Sequence, residues 1–160
     1  MPFPEATAFS PNFAAAPVHE RLGVCFHHSG MEFATTVARL LQPESQVSYH
    51  ALIDADGRRC VLVADENIAW HAGASRFLGR SRCNDFLLGL AFAGDTARRP
   101  LTAAQIASAL EWLAPRWALY RWTLARMTDH RQIAPGRKED LHPVEWDRLH
   151  AALAERFGND

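Results

Sequence analysis

Phe86-Leu-Leu-Gly-Leu-Ala-Phe-Ala93 runs eight residues without a charge. A short, unbroken apolar run bounded by polar segments predicts a strand covered on both faces. Leu22 to His28 is a second such run and predicts a second buried strand. Around them, Val47, Tyr49, Ala51 and Ile53 alternate, which predicts a strand from Val47 to Asp54 with these four on one face. Asp56-Gly57 is a hairpin signal, so Arg58 to Ala64 is expected to return as the partner strand.

Helical spacing separates these strands. Phe33, Val37, Leu40 and Leu41 predict a helix over Met31–Gln42, stopped by Pro43. Thr102-Ala-Ala-Gln105 is a capping box. Ile106, Ala109, Leu110 and Leu113 follow on one face, and Pro115 is expected to bend or end that helix. Trp122–Met127 is a weaker strand candidate. Pro143 can open a last helix with Trp146, Leu149, Leu153 and Phe157 on one stripe. Residues 1–20, with four prolines, are expected to form an irregular arm, leaving 21–160 as the folded domain. The order is mixed α and β around one sheet.

Composition narrows the function classes. Length 160 suits one domain with a real core. Seventeen Lys and Arg against eighteen Asp and Glu leave no surplus charge for phosphates, so nucleic acid is not an expected partner. No stretch approaches the roughly 18 apolar residues of a membrane span. The N-terminus lacks the basic start and apolar run of a signal peptide. Cys25, Cys60 and Cys83 are odd in number and form no CxxC. A reducing, cytoplasmic location is therefore expected. A monomer is expected as well.

Histidine placement carries the chemistry. Eight occur: His19, His27, His28, His50, His71, His130, His142 and His150. Surface histidines are common, so any single one is weak ground. His27 and His28, however, end an apolar strand, and His130 opens a polar loop that also holds Lys138 and Asp140. A strand-end histidine and a loop histidine with a carboxylate can converge at one sheet edge. Two imidazoles and one carboxylate suit a catalytic zinc, which keeps three protein ligands and one open position. Such an ion lowers the pKa of water toward about 7 and polarises a carbonyl, as amide hydrolysis requires. There is no HExxH or paired-cysteine pattern to sharpen this.

Four segments, from about residue 22 to residue 143, bear a resemblance. They are Val24-Cys-Phe-His-His-Ser-Gly30, Val47-Ser-Tyr-His-Ala-Leu-Ile53 with Asp56-Gly57, Ala69-Trp-His-Ala-Gly73 through Gly79-Arg-Ser-Arg-Cys-Asn-Asp85, and His130-Arg-Gln-Ile-Ala-Pro-Gly-Arg-Lys-Glu-Asp140. In this order they resemble the zinc-dependent N-acetylmuramoyl-L-alanine amidases of the amidase-2 type. That family includes phage lysozyme-amidases, peptidoglycan recognition proteins and the cytoplasmic anhydro-muropeptide amidases. The Trp-His-Ala-Gly and Arg-Cys-Asn-Asp pieces look most like the last branch.

The resemblance implies an α/β fold with a central mixed β-sheet flanked by helices. It implies Zn2+ held by His27, His130 and Asp140, with a peptidoglycan fragment or muropeptide as substrate. His28 then reads as a hydrogen-bonded packing residue. Lys138 looks like the family's catalytic lysine, stabilising the oxyanion as the amide carbonyl becomes tetrahedral. Tyr49 aligns with a tyrosine of the phage branch and is either catalytic or a core aromatic. Arg82 lies where the family meets a stem-peptide carboxylate, which suits a guanidinium. Trp70 is a candidate sugar or lid contact or else a core residue, His71 takes a structural or substrate-contact role, and Asn84 is a further candidate for substrate contact.

Two departures stand out. Cytoplasmic members carry a general-base glutamate at the position of Ala91. Leu141-His142-Pro143 replaces the usual Pro-Gly, with His142 as an extra ligand candidate. The implied activity is hydrolysis of the bond between N-acetylmuramic acid, in the anhydro form, and L-alanine. The alternatives are a phage-type lysin acting on intact wall, or a non-catalytic peptidoglycan-binding module.

Overall fold

The computed structural model describes residues 2–15 and 20–158. In chain order its strands are β1 (Glu5–Thr7), β2 (Phe13–Ala15), β3 (Gly23–His28), β4 (Ala51–Ile53), β5 (Arg59–Val61), β6 (Asn67–Ala69), β7 (Arg76–Phe77), β8 (Arg80–Ser81), β9 (Leu87–Phe92) and β10 (Met127–Asp129). The helices are α1 (Phe33–Leu40), α2 (Ala103–Tyr120), α3 (His130–Ile133) and α4 (Pro143–Phe157). Six strands form one sheet in the order β1-β5-β4-β9-β3-β10. All neighbours are parallel except the β4–β5 hairpin, so the sheet is mixed, as expected. The uncharged run supplies β9 near the sheet's centre, between β4 and β3, with every residue buried.

Alternation along the strands divides the interior. Val24, Phe26, Ala51, Ile53, Leu88, Leu90 and Phe92 face α2 and α4, meeting Trp112, Leu113, Leu149 and Leu153. On the other face, Leu52, Cys60, Leu62 and Ala91 pack against Leu40 of α1, with Phe33 and Val37 beside them. Cys25 and Leu87 pack there too, against Ala72, Phe86 and Ile133.

The capping box at Thr102 is present in both halves. Gln105 N–H donates to the Thr102 hydroxyl at 3.0 Å, and Thr102 N–H donates to Gln105 Oε1 at 3.1 Å. At the β4–β5 turn, Gly57 has φ +91, which suits a residue without Cβ. No helix among the described residues is long and apolar enough to cross a membrane.

Several expectations need correction. The first twenty residues are not an irregular arm throughout. β1 adds a parallel edge to β5, and β2 pairs antiparallel with β6. These strands are three residues long, exposed, and defined by pairing rather than by any apolar pattern. Residues 16–19 lie outside the described residues.

Of the two outcomes expected at Pro115, an end to the helix is excluded, because α2 runs through it. Pro115 is exposed, so water can satisfy the carbonyl that loses its partner. The strand expected from Val47 begins only at Ala51. Before it the burial is inverted: Ser48 and His50 are buried, while Val47 and Tyr49 are partly exposed. The polar pair is buried because its hydrogen bonds are met. Trp70 N–H donates to Ser48 Oγ at 2.8 Å, and Gly89 N–H donates to His50 Nδ1 at 3.0 Å.

Candidate metal centre and cleft

The site forms beyond the carboxyl ends of the parallel strands, where open α/β sheets place their ligands. His27 is the fifth residue of β3, and its alternation partner Cys25 fixes which face it takes. His130 directly follows β10, which pairs parallel with β3. The loop after α3 is brought back by two bonds: Arg131 N–H donates to the Asp140 carbonyl at 2.6 Å, and Leu141 N–H donates to Asp129 Oδ2 at 3.1 Å. These bonds bring Asp140 beside the two histidines.

His27 Nδ1 lies 3.1 Å from His130 Nδ1 and 3.6 Å from Asp140 Oδ2. His130 Nδ1 lies 3.4 Å from Asp140 Oδ1. A tetrahedral zinc with bonds of about 2.0–2.2 Å separates neighbouring ligand atoms by roughly 3.3–3.6 Å. The imidazole nitrogens lie just short of that range, Asp140 meets each histidine through a different oxygen at 3.4 and 3.6 Å, and the donor types are those zinc prefers, so the residues fit the ion.

Electrostatics point the same way. Burial lowers the His27 pKa to about 4, aided by His130, so its ring is neutral near pH 7. Burial pushes the Asp140 carboxyl upward, but the neighbouring His130 and His27 outweigh it and hold it well below the usual carboxylate range. Neutral imidazoles and an ionised carboxylate are the forms that bind metal.

Cys25, His27 and His71 form a second set of potential donors within 4.8 Å of one another. Burial, with Asp140 and Asp129 nearby, raises the Cys25 thiol well above its ordinary value. It stays protonated, which disfavours it as a ligand. The signal for this set was in the sequence, since Cys25 lies two residues before His27 on the same strand face.

A cleft of about 770 Å³ opens over His130 and Asp140, and Tyr49, Trp70, His71 and Lys138 line it as well. Lys138 is exposed at the rim, with its backbone N–H bonded to the Ala134 carbonyl at 3.0 Å. The Tyr49 ring centroid lies 5.1 Å from that of His27. Burial and Asp140 raise the Tyr49 phenol above its ordinary value, so it is protonated. Ala91, fully buried, sits opposite His27 in the β3–β9 register.

Other expected site residues fall elsewhere. Arg82 does not line the cleft; it is largely exposed, with Nε 3.4 Å from Asp85 Oδ2. Asn84 also lies outside the cleft lining, and its Oδ1 accepts from the backbone N–H groups of His71 and Ala72 at 3.0 and 2.8 Å. His142 is no third imidazole of the cluster; its Nδ1 accepts from Val144 N–H at 3.2 Å and caps α4. His28 Nδ1 accepts from Thr96 N–H at 3.0 Å, a packing bond of the expected kind, although the residue also borders the cleft. Sequence reasoning missed Arg39, a cleft cation at the end of α1. It also missed His50 as a partner of the β9 backbone. Gly89 inside a buried strand was the available signal, since such a glycine often marks a close approach.

A mixed α/β sheet with three potential metal donors gathered at its strand ends is the class of domain that the fold and site define. Within it, the family profile described as N-acetylmuramoyl-L-alanine amidase matches residues 18–143, and the chain belongs to that family. It is 39% identical over 110 residues to the 1,6-anhydro-N-acetylmuramyl-L-alanine amidase AmpD of Salmonella typhimurium, covering 68% of this chain and 58% of that protein. It is 30% identical over 139 residues to the N-acetylmuramoyl-L-alanine amidase AmiD of Escherichia coli, covering 77% of this chain and 50% of that protein. The chain thus spans half to three-fifths of these relatives' length.

Among solved structures, a selenomethionine derivative of AmpD superposes with a TM-score of 0.74 at 29% identity, covering 92% of this chain and 93% of that one. Escherichia coli AmiD, in complex with the substrate anhydro-N-acetylmuramic acid-L-Ala-D-gamma-Glu-L-Lys, superposes with a TM-score of 0.73 at 28% identity. That match covers 86% of this chain and 60% of AmiD.

Proposed function

We propose that the chain is a zinc-dependent amidase that cleaves the amide between N-acetylmuramic acid, in its 1,6-anhydro form, and L-alanine. It would act as a cytoplasmic monomer on soluble muropeptides during cell-wall recycling. The observation that carries this reading is the convergence of His27, His130 and Asp140 beneath an open cleft. Family membership and the substrates named for AmpD and AmiD support it.

His27, His130 and Asp140 would hold the zinc. The chemistry supplied there is Lewis-acid charge that makes water a nucleophile near neutral pH and polarises the amide carbonyl. Lys138, which lines the cleft, would offer its ammonium to the oxyanion as the carbonyl becomes tetrahedral. Tyr49, protonated and lining the same cleft, has a hydroxyl for the oxyanion or for orienting water. Trp70 lines the cleft and would offer its ring to the sugar.

Mass spectrometry of products from the zinc-supplemented protein tests the reading. Anhydro-muramyl tripeptide should yield free tripeptide, and intact peptidoglycan little. Rapid release from intact wall would favour a phage-type lysin instead. Lys138→Ala should slow cleavage about 10²–10³-fold without altering zinc content.

One observation favours a second reading, a binding module without turnover. Ala91 offers no carboxylate opposite His27, and a general base is typically worth about 10²–10⁴-fold. Tight binding with no released peptide, from the native chain and Lys138→Ala alike, would establish that reading over the amidase.

A further inference from the structure

We propose that His71 and the Ala72 carbonyl are positioning groups that decide which ring nitrogens of His27 and His130 face the metal. The inference rests on the zinc reading above. It starts from two atoms that can only accept hydrogen bonds.

The Leu87 carbonyl oxygen carries no proton, so the His71 Nε2 at 3.0 Å is the donor. His71 is buried among other imidazoles, where a second proton would be an uncompensated charge, so its Nδ1 keeps a lone pair. His27 Nε2, at 2.9 Å from that lone pair, must then donate. A neutral His27 protonated at Nε2 has a bare Nδ1, and Nδ1 is the atom turned toward His130 and Asp140.

The other ligand histidine is set in the same way. His130 Nε2 lies 3.0 Å from the Ala72 carbonyl oxygen, so Nε2 donates, and in the neutral ring, the form that binds metal, Nδ1 is bare. Two lone pairs therefore face each other at 3.1 Å with a carboxylate beside them and no proton between. A cation relieves that repulsion.

Two further features keep the orienting groups in place. Asn84 Oδ1 accepts from the backbone N–H groups of both His71 and Ala72, so one side chain pins the whole pair. At Gly89, a Cβ would fall 2.5 Å from a His71 ring carbon, so the imidazole lies directly on the β9 backbone. The position that resembled a substrate contact is thus a support behind the ligand. Removing such an outer partner typically costs about 10–100-fold in metal affinity.

Zinc dissociation constants from competition with a chromophoric chelator, together with side-chain 15N spectra of the metal-free protein, test this. Metal-free protein should show His27 and His130 protonated at Nε2 and bare at Nδ1. His71→Leu, which removes the acceptor, should weaken zinc about 10–100-fold and mix the His27 tautomers. His71→Gln, whose Oε1 can accept from His27 Nε2, should recover most of the affinity. If His71→Leu does not fold, Asn84→Ala serves, with the same tautomer shift and a similar loss expected.

Native zinc affinity in His71→Leu, or an Nδ1 proton on His27 in the metal-free protein, would overturn the proposal. Should the native chain take up no zinc, the functional reading fails, while the 15N spectra still decide the tautomer assignment.

Discussion

The two faces of the central sheet are built from the same strands and differ in side-chain size. Toward α2 and α4, β9 presents Leu88, Leu90 and Phe92, and Phe92 stacks on Phe26 at 6.3 Å. Toward the cleft it presents Leu87, Gly89 and Ala91. The small residues on that face leave room for imidazoles to lie against the backbone. One face uses strand periodicity to maximise buried apolar area. The other uses the same periodicity to bring His71, His27 and His130 together, with ring nitrogens 2.9 and 3.1 Å apart along the row. Stability should therefore reside mainly on the first face and chemistry on the second.

A pair of substitutions is the most direct way to break this division. Asp140→Ala should abolish stoichiometric zinc and reduce amide cleavage by at least about 10³-fold, the equivalent of several kcal/mol of transition-state stabilisation. Its metal-free melting temperature should move less than that of Leu113→Ala. Leu113 is fully buried on the opposite face, and its truncation should cost about 2–5 kcal/mol while leaving turnover per folded molecule unchanged. Zinc titration, product release and thermal melts of both variants provide the comparison. Equal activity losses would end it.

The next effect concerns protons. His27 has its pKa lowered from 6.5 to about 4 when folded. Between those values the unfolded chain takes up a proton that the folded protein resists, so stability rises with pH. Acidifying the chelator-treated protein from about pH 7 to about pH 4 should therefore cost on the order of 3 kcal/mol from this group alone. His71 is lowered in the same direction, chiefly by burial, and adds to the loss. Denaturant titrations across this range should show a flatter pH profile in His27→Asn. An unchanged slope would mean that His27 does not carry the acid sensitivity.

The same division explains what the sequence revealed. β3, β9, α1 and α4 were legible because apolar period or continuity marks them. The convergence of His27, His130 and Asp140 was legible through motif order and loop spacing, not through periodicity. Ser48 and His50 were read the wrong way round. Alternation assigns apolar side chains inward, whereas here polar groups satisfied by Trp70 and Gly89 take the interior, and Tyr49 borders the cleft. β1 and β2 escaped notice because a three-residue edge strand is defined by its neighbour. Asn84 was taken for a substrate contact because a motif records that a residue matters without saying what it touches.

The smallest expected effect tests whether local signals on the apolar side act alone. Thr102 caps α2 by accepting from Gln105 N–H, and its own hydroxyl donates to the Ala55 carbonyl at 2.6 Å. Thr102→Ala removes both bonds and leaves an orphan N–H in the first turn of the helix. Cap removal typically costs about 1 kcal/mol. The cost should be lower than the maximum of about 2 kcal/mol, because Thr102 lies near the surface and water can replace the lost partner. Urea denaturation should show a lower midpoint with an unchanged slope, as expected when stability falls without a change in buried area. Zinc affinity and cleavage should match the native chain, since α2 lies on the far side of the sheet from His27. A fall in zinc affinity would show that the helix layer is coupled to the metal side through β9, contrary to the division drawn here.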